Sequence, residues 1–158
     1  MSHALLAPTE LHLAEAHARI LSQVQPIQDR EAVPLAKLVG RILAEPVLTP
    51  HPLPLFDNAA MDGYAFRSAE LDNKEAITLR VVGTALAGHP YCAALGPGEA
   101  VRIMTGAPLP IGADRVVMLE DVEVFDGQVR FAARCKTGHV RRQGEDLAAG
   151  AMALPTGQ

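Results

Sequence analysis

Apolar residues recur at helical spacing in one stretch of this chain. Leu13, Ala16, Ile20, Leu21 and Val24 fall on a single face of a helix predicted over residues 10–24, with Glu15, Arg19 and Gln23 elsewhere. Thr9 is placed to cap its start, Glu10 suits the first turn, and Pro26 stops it. Val33, Pro34 and Leu35 then read as a short edge strand, because proline cannot donate to a ladder. Residues 36–39 read as one helical turn closed at Gly40, and residues 41–44 as extended chain. A brief helix is predicted over 68–71 with Ser68 as its cap.

From about residue 76 the pattern shortens to period two. Strands are predicted at 77–82, 100–104, 115–119 and 151–154, with turns at Gly88-His89-Pro90 and Gly96-Pro97-Gly98. Residues 122–125 and 128–131 flank Asp126-Gly127, a strong hairpin signal. The expectation is an α+β fold dominated by β structure: an N-terminal helix followed by short, coiled and bifurcated sheets. Residues 51–140 are expected to form a β-rich lobe, inserted into a smaller unit made by 1–50 together with 141–158.

Composition sharpens this picture. The 158 residues are 49% hydrophobic but only 4% aromatic, with no Trp, so the core must be aliphatic and alanine-rich. Thirteen glycines and twelve prolines are scattered as punctuation, as many short elements require. A net charge of −4 argues against a nucleic-acid partner. No apolar run reaches the length of a membrane span, and the first residues lack the basic start and apolar core of a signal peptide. Cys92 and Cys135 share no metal-site spacing, and His12 and His17 lie off the i, i+4 spacing that would let them share a metal. Two isolated cysteines suit a reducing compartment, and the expectation is a cytoplasmic protein.

Three stretches carry possible chemistry. In the first, Pro50, Pro52 and Pro54 stiffen an arm that delivers Asp57, Asn58 and Asp62 just ahead of Gly63 and the predicted strand Tyr64-Ala65-Phe66. Asp62-Gly63 reads as a turn in which glycine accepts a positive φ, aiming a carboxylate away from the strand. Alternatively, Asp57 and Asn58 only cap the turn through their own backbone. The second is the small-residue loop Thr105-Gly106-Ala107-Pro108-Leu109-Pro110, whose backbone N–H groups and hydroxyl could approach an anion. It lacks the Lys-Ser/Thr ending of a nucleotide triphosphate loop, and a plain two-proline turn is the other reading. The third is Arg141-Arg142-Gln143-Gly144-Glu145-Asp146, where an arginine oriented by Asp146 could hold a phosphate, or where the charges simply pair on the surface.

Taken in order and at these distances, 56–65, 101–110 and 141–146 resemble the molybdopterin molybdenumtransferase family, which includes bacterial MoeA and the E domain of gephyrin. Val33-Pro34-Leu35, Gly40-Arg41-Ile42-Leu43-Ala44 and Gly112-Ala113-Asp114 are similar to it as well. Ala60 stands where the family commonly has Ser, and Gln143 where Arg is frequent. The resemblance covers nearly the whole chain and implies that it corresponds to the family's N-terminal region. It further implies insertion of molybdate into adenylylated molybdopterin with release of AMP, assisted by Mg2+ bound largely by a domain beyond this region, in a homodimer. Asp62, Thr105 and Asp146 are then implied as catalytic, and Arg141, Arg142, Gly106, Asp57 and Asn58 as substrate-binding. A different class of function, a non-catalytic interaction module on the same scaffold, is the alternative.

Overall fold

The computed structural model describes residues 11–72 and 74–158. It divides into two compact units, Met1–Ala44 and Glu45–Gln158. The first unit holds α1 (Leu13–Gln23), which follows the predicted amphipathic pattern, and a 3-10 turn at Leu35–Lys37. His12 occupies the N-cap position, and the caps expected at Thr9 and Glu10 lie outside the described residues. The strand expected at residues 33–35 does not form. Pro34 instead accepts the Lys37 N–H and opens the 3-10 turn, whose exit is Gly40 at φ +80. No residue of α1 is buried, and Leu13 is 87% exposed.

The second unit is built on a curled, mixed seven-stranded sheet in the order β7-β8-β4-β5-β3-β6-β9. Its strands are β3 (Gly63–Phe66), β4 (Ala76–Ala85), β5 (Glu99–Ile103), β6 (Arg115–Met118), β7 (Glu123–Phe125), β8 (Gln128–Ala132) and β9 (Thr137–Gly138). The ten residues of β4 serve two partners. Ala76 to Arg80 pair antiparallel with β8, and the ladder to β5, running parallel, takes over from Arg80 to Ala85. A register shift between Val81 and Gly83 marks the bend, as a bulge does when it increases local twist. The β7–β8 hairpin turns on Asp126 and Gly127, both at positive φ, as a type I′ turn demands.

Period-two patterning gives the sheet two apolar faces. Ala65, Val101, Ile103 and Val116 pack on one face, and Tyr64, Phe66, Ile77, Leu79, Val117, Val129 and Phe131 on the other. Phe66 and Phe131 meet at 5.0 Å between ring centroids, a tilted contact favoured by their quadrupoles. Two small ladders complete the unit. One joins β1 (Val47–Leu48) to β11 (Met152–Leu154), and the other joins β2 (Asn58–Ala59) to β10 (Val140–Arg141). The helix predicted at 68–71 is a 3-10 segment whose cap position is Arg67, while Ser68 gives its N–H and hydroxyl to Asp114. Among the described residues no helix is long and apolar enough to cross a membrane.

Candidate functional site

The three chemistry-bearing stretches lie side by side as backbone. β2 pairs with β10 on one side, Arg141 standing opposite Asn58. On the other side Ala59 exchanges bonds with the 105–109 loop: Ala59 N–H donates to the Ala107 carbonyl, and Gly106 N–H to the Ala59 carbonyl. The proline arm is clasped by the third stretch, with Gly144 N–H donating to Pro54 O and Asp146 N–H to Leu53 O. Gly144, at φ +74, makes the turn that lets the chain double back there.

Asp62 ends the central stretch just before β3. Its Oδ1 accepts the Thr105 N–H at 2.8 Å and the Thr105 hydroxyl at 2.6 Å. The hydroxyl bond, then the backbone bond, and the nearby Arg102 charge hold the Asp62 carboxyl below its usual range. Gly63 is required here for a reason other than a positive φ, which it does not have. A Cβ at that position would sit 1.9 Å from the Val117 carbonyl oxygen, because β3 lies tight against β6. The Asp-Gly pair is thus a close-packing device at the sheet's centre, and the turn geometry read from the sequence is corrected.

The loop at 105–109 is also differently used than its composition suggests. Its N–H groups are spent within the fold: Thr105 on Asp62, Gly106 on Ala59, Ala107 on Met104 and Leu109 on Asp57. The Thr105 hydroxyl proton is spent as well, and its oxygen keeps acceptor lone pairs on an exposed residue. Gly106, exposed and at φ +80, offers close approach but no free N–H.

Around the third stretch every charge has a partner. Arg141 donates from Nε to Glu145 at 2.8 Å and from its terminal nitrogen to Asp146 at 2.5 Å, and these bonds raise its already high pKa. Glu145 in turn is lowered by Arg141 and by the Arg142 N–H. Asp57 does not cap its own turn. It accepts the Gln143 N–H at 2.8 Å and the Arg142 guanidinium at 2.6 Å, and these hold its carboxyl low. Gln143 adds a bond to Leu55 O, so the arm is tied to the loop by backbone and side chain alike. Asn58 is buried, 7% exposed, and its amide donates to Phe56 O.

The arrangement brings Asp62 together with Thr105, and Asp57 together with Arg142, Arg141 and the two acids. Three carboxylates, of Asp57, Glu145 and Asp146, pair with the two guanidinium groups of Arg141 and Arg142, and Asp62 adds a fourth beside Thr105, so these stretches together are net acidic. Arg102, beside Asp62, was not singled out from the sequence. Its signal was an arginine interrupting an otherwise buried strand directly before the Thr105 loop. Among the described residues no three His, Cys, Asp or Glu side chains gather to hold a metal ion.

Residues 11–158 match the family model described as MoeA N-terminal region, domains I and II. The chain is 39% identical over 149 residues to the molybdopterin molybdenumtransferase of Haemophilus influenzae, covering 93% of this chain and 36% of that one. It is 40% identical over 133 residues to the enzyme so named from Synechococcus elongatus, covering 81% and 33%. A crystal structure of the molybdopterin biosynthesis MoeA protein from Pyrococcus horikoshii superposes with a TM-score of 0.81 at 32% identity, over 90% of this chain and 39% of that one. The chain therefore spans about a third of the length of the curated relatives it matches.

Proposed function

The chain belongs to the family of MoeA N-terminal regions, and from that premise we propose that it is the N-terminal part of a molybdopterin molybdenumtransferase. In this reading the whole enzyme acts in molybdenum cofactor biosynthesis in the cytoplasm, as a homodimer. It inserts molybdate into adenylylated molybdopterin and releases AMP. The observation that carries the proposal is the alignment of 57–62, 105–109 and 140–146 as neighbouring strands and loops on one unit.

This unit's part is to present one wall of the site. Asp62, oriented by two bonds to a single oxygen, turns its other carboxylate oxygen and the Thr105 lone pairs outward. These two oxygens suit a hard cation such as Mg2+, which would supply charge neutralisation between anionic groups. Two ligands are far short of the six that such an ion takes, so the remainder must come from substrate, water or another domain. Arg141, with Glu145 and Asp146 fixing two edges of its guanidinium, presents the remaining edge to an anionic substrate. Arg142 and Asp57 hold the loop that carries it.

A chimera tests the reading. Residues 11–158 replace the matching third of the Haemophilus influenzae relative in cells lacking that enzyme. Restored molybdoenzyme activity is expected. A soluble, folded chimera without activity overturns the proposal.

A further inference from the structure

The 105–109 loop has no N–H left to give to an anion, and the clustered carboxylates outnumber the guanidinium groups beside them. An oxyanion drawn to this edge of the sheet therefore needs another donor. β5 reads intermediate, buried, buried, exposed, buried, and the exposed residue is Arg102. It stands opposite Tyr64 in β3 and Thr84 in β4, so its side chain leaves the sheet on the same face as Tyr64. Alternation from Tyr64 back along the chain puts Asp62 on that face too, one step beyond, and the Arg102 charge acts on the Asp62 carboxylate. Among the described residues Arg102 forms no ion pair, while Asp62 binds Thr105 through Oδ1. The two opposite charges thus attract each other with no hydrogen bond between them to occupy the Arg102 N–H groups. Arg141 and Arg142, by contrast, are each already paired with carboxylates, Arg141 with Glu145 and Asp146 and Arg142 with Asp57.

We infer that Arg102 is a binding residue of the Asp62–Thr105 site, where its open guanidinium fork takes a tetrahedral oxyanion. The fork presents paired, diverging N–H donors that match two oxygens of such a group, which a lysine in the same place would meet as a point charge. Asp62 then has two tasks, holding Thr105 and orienting Arg102. The inference rests on the proposed function only for the source of the oxyanion, which is either the phosphate of the nucleotide moiety or molybdate itself.

The test uses this chain, labelled with 15N, in two titrations at low salt, one with AMP and one with sodium molybdate. The expected result is a saturable shift of the Arg102 side-chain N–H and of the Thr105 and Gly106 amides with at least one of them, and the ligand that produces it identifies the source. Arg102→Gln is expected to weaken that binding about tenfold or more, as loss of a charge-assisted bond does. Arg102→Lys should fall between, and Arg130→Gln, at an exposed position of β8 in the same sheet, should match the native chain. A native-like spectrum and melting curve for Arg102→Gln separates lost binding from lost fold. If neither ligand shifts these groups, or if Arg102→Gln binds as the native chain does, the inference is wrong. Active chimera with either of those results overturns Arg102 alone, whereas binding that depends on Arg102 in an inactive chimera overturns the proposed function and leaves the anion site standing.

Discussion

Thr105 gives both its backbone N–H and its hydroxyl to one oxygen of Asp62, at 2.8 and 2.6 Å. The pair joins the end of β5 to the turn before β3, and both residues stay open to solvent on the outer side. An asparagine at position 62 keeps an amide oxygen for both donors but removes the charge. Asp62→Asn is therefore expected to melt close to the native chain by circular dichroism, as a surface change does. In the chimera the same change should sharply lower cofactor synthesis. A marked drop in melting temperature would make Asp62 a structural residue, and normal synthesis would remove it from the site.

Gly63 makes the opposite prediction. Its Cβ would meet Val117 O at 1.9 Å and Val117 C at 2.9 Å, backbone atoms at the centre of the sheet that cannot swing aside. Gly63→Ala should destabilise by about 3 kcal/mol or more, at the upper end for overpacking, because β3 and β6 must separate. Urea unfolding measures it. A loss below about 1 kcal/mol would show that the two strands slide apart easily.

These two neighbours also mark how far the sequence could be read. The sheet was legible because Ile77, Leu79, Val129 and Phe131 alternate cleanly, and Asp126-Gly127 names its own turn. Helical spacing also placed α1, yet its face, including Leu13 and Ile20, is not buried. Periodicity reports that a face is apolar and says nothing of what covers it. At 33–35 the strand reading failed because β-branched Val33 and Pro34 suit an extended segment and a 3-10 N-terminus equally well. Motif spacing singled out Asp62, Thr105 and Arg141 as candidates, but hydrogen-bond partners come from chain segments 43 or more residues apart, as with Asp62–Thr105 and Asp57–Arg142. Composition could not reveal that the loop's amides were already spent, nor that Arg102 lay beside Asp62.

Acid should loosen the third stretch where Asp57 holds it. The Gln143 N–H and the Arg142 guanidinium hold its folded pKa below the ordinary 3.8, so the ionised form is the one the fold prefers. That contribution is complete above the unfolded value and disappears as pH falls through the lower folded value. The Gln143 amide resonance should accordingly stay level from neutral pH down to about 4 and move only in stronger acid. Asp57→Asn should abolish that titration while leaving the β4–β8 amides unchanged. A midpoint above 3.8 would mean that burial outweighs these bonds.

The chain by itself should not carry out the proposed reaction, even though the proposed site residues are present in it. Joining molybdate to an adenylylated pterin means holding two anions in register, and such positioning supplies roughly 7–11 kcal/mol in well-oriented intramolecular reactions. Asp62, Thr105, Arg141, Arg142, Glu145 and Asp146 form one open wall here, each accessible to water. On an open wall water competes for every charge, and each electrostatic contact is weakened by the high dielectric. The acidic excess among these groups adds repulsion toward both substrates, which only a bound cation or Arg102 offsets. Binding of the adenylylated pterin to this chain should therefore be weak and should fall as salt is added. Purified chain mixed with molybdate, Mg2+ and adenylylated molybdopterin should release no AMP above the uncatalysed background. The active chimera assayed alongside should turn over. Release of AMP by the chain alone at the chimera's rate would show that this wall suffices, and that the remaining two thirds of the relatives' length serve another purpose.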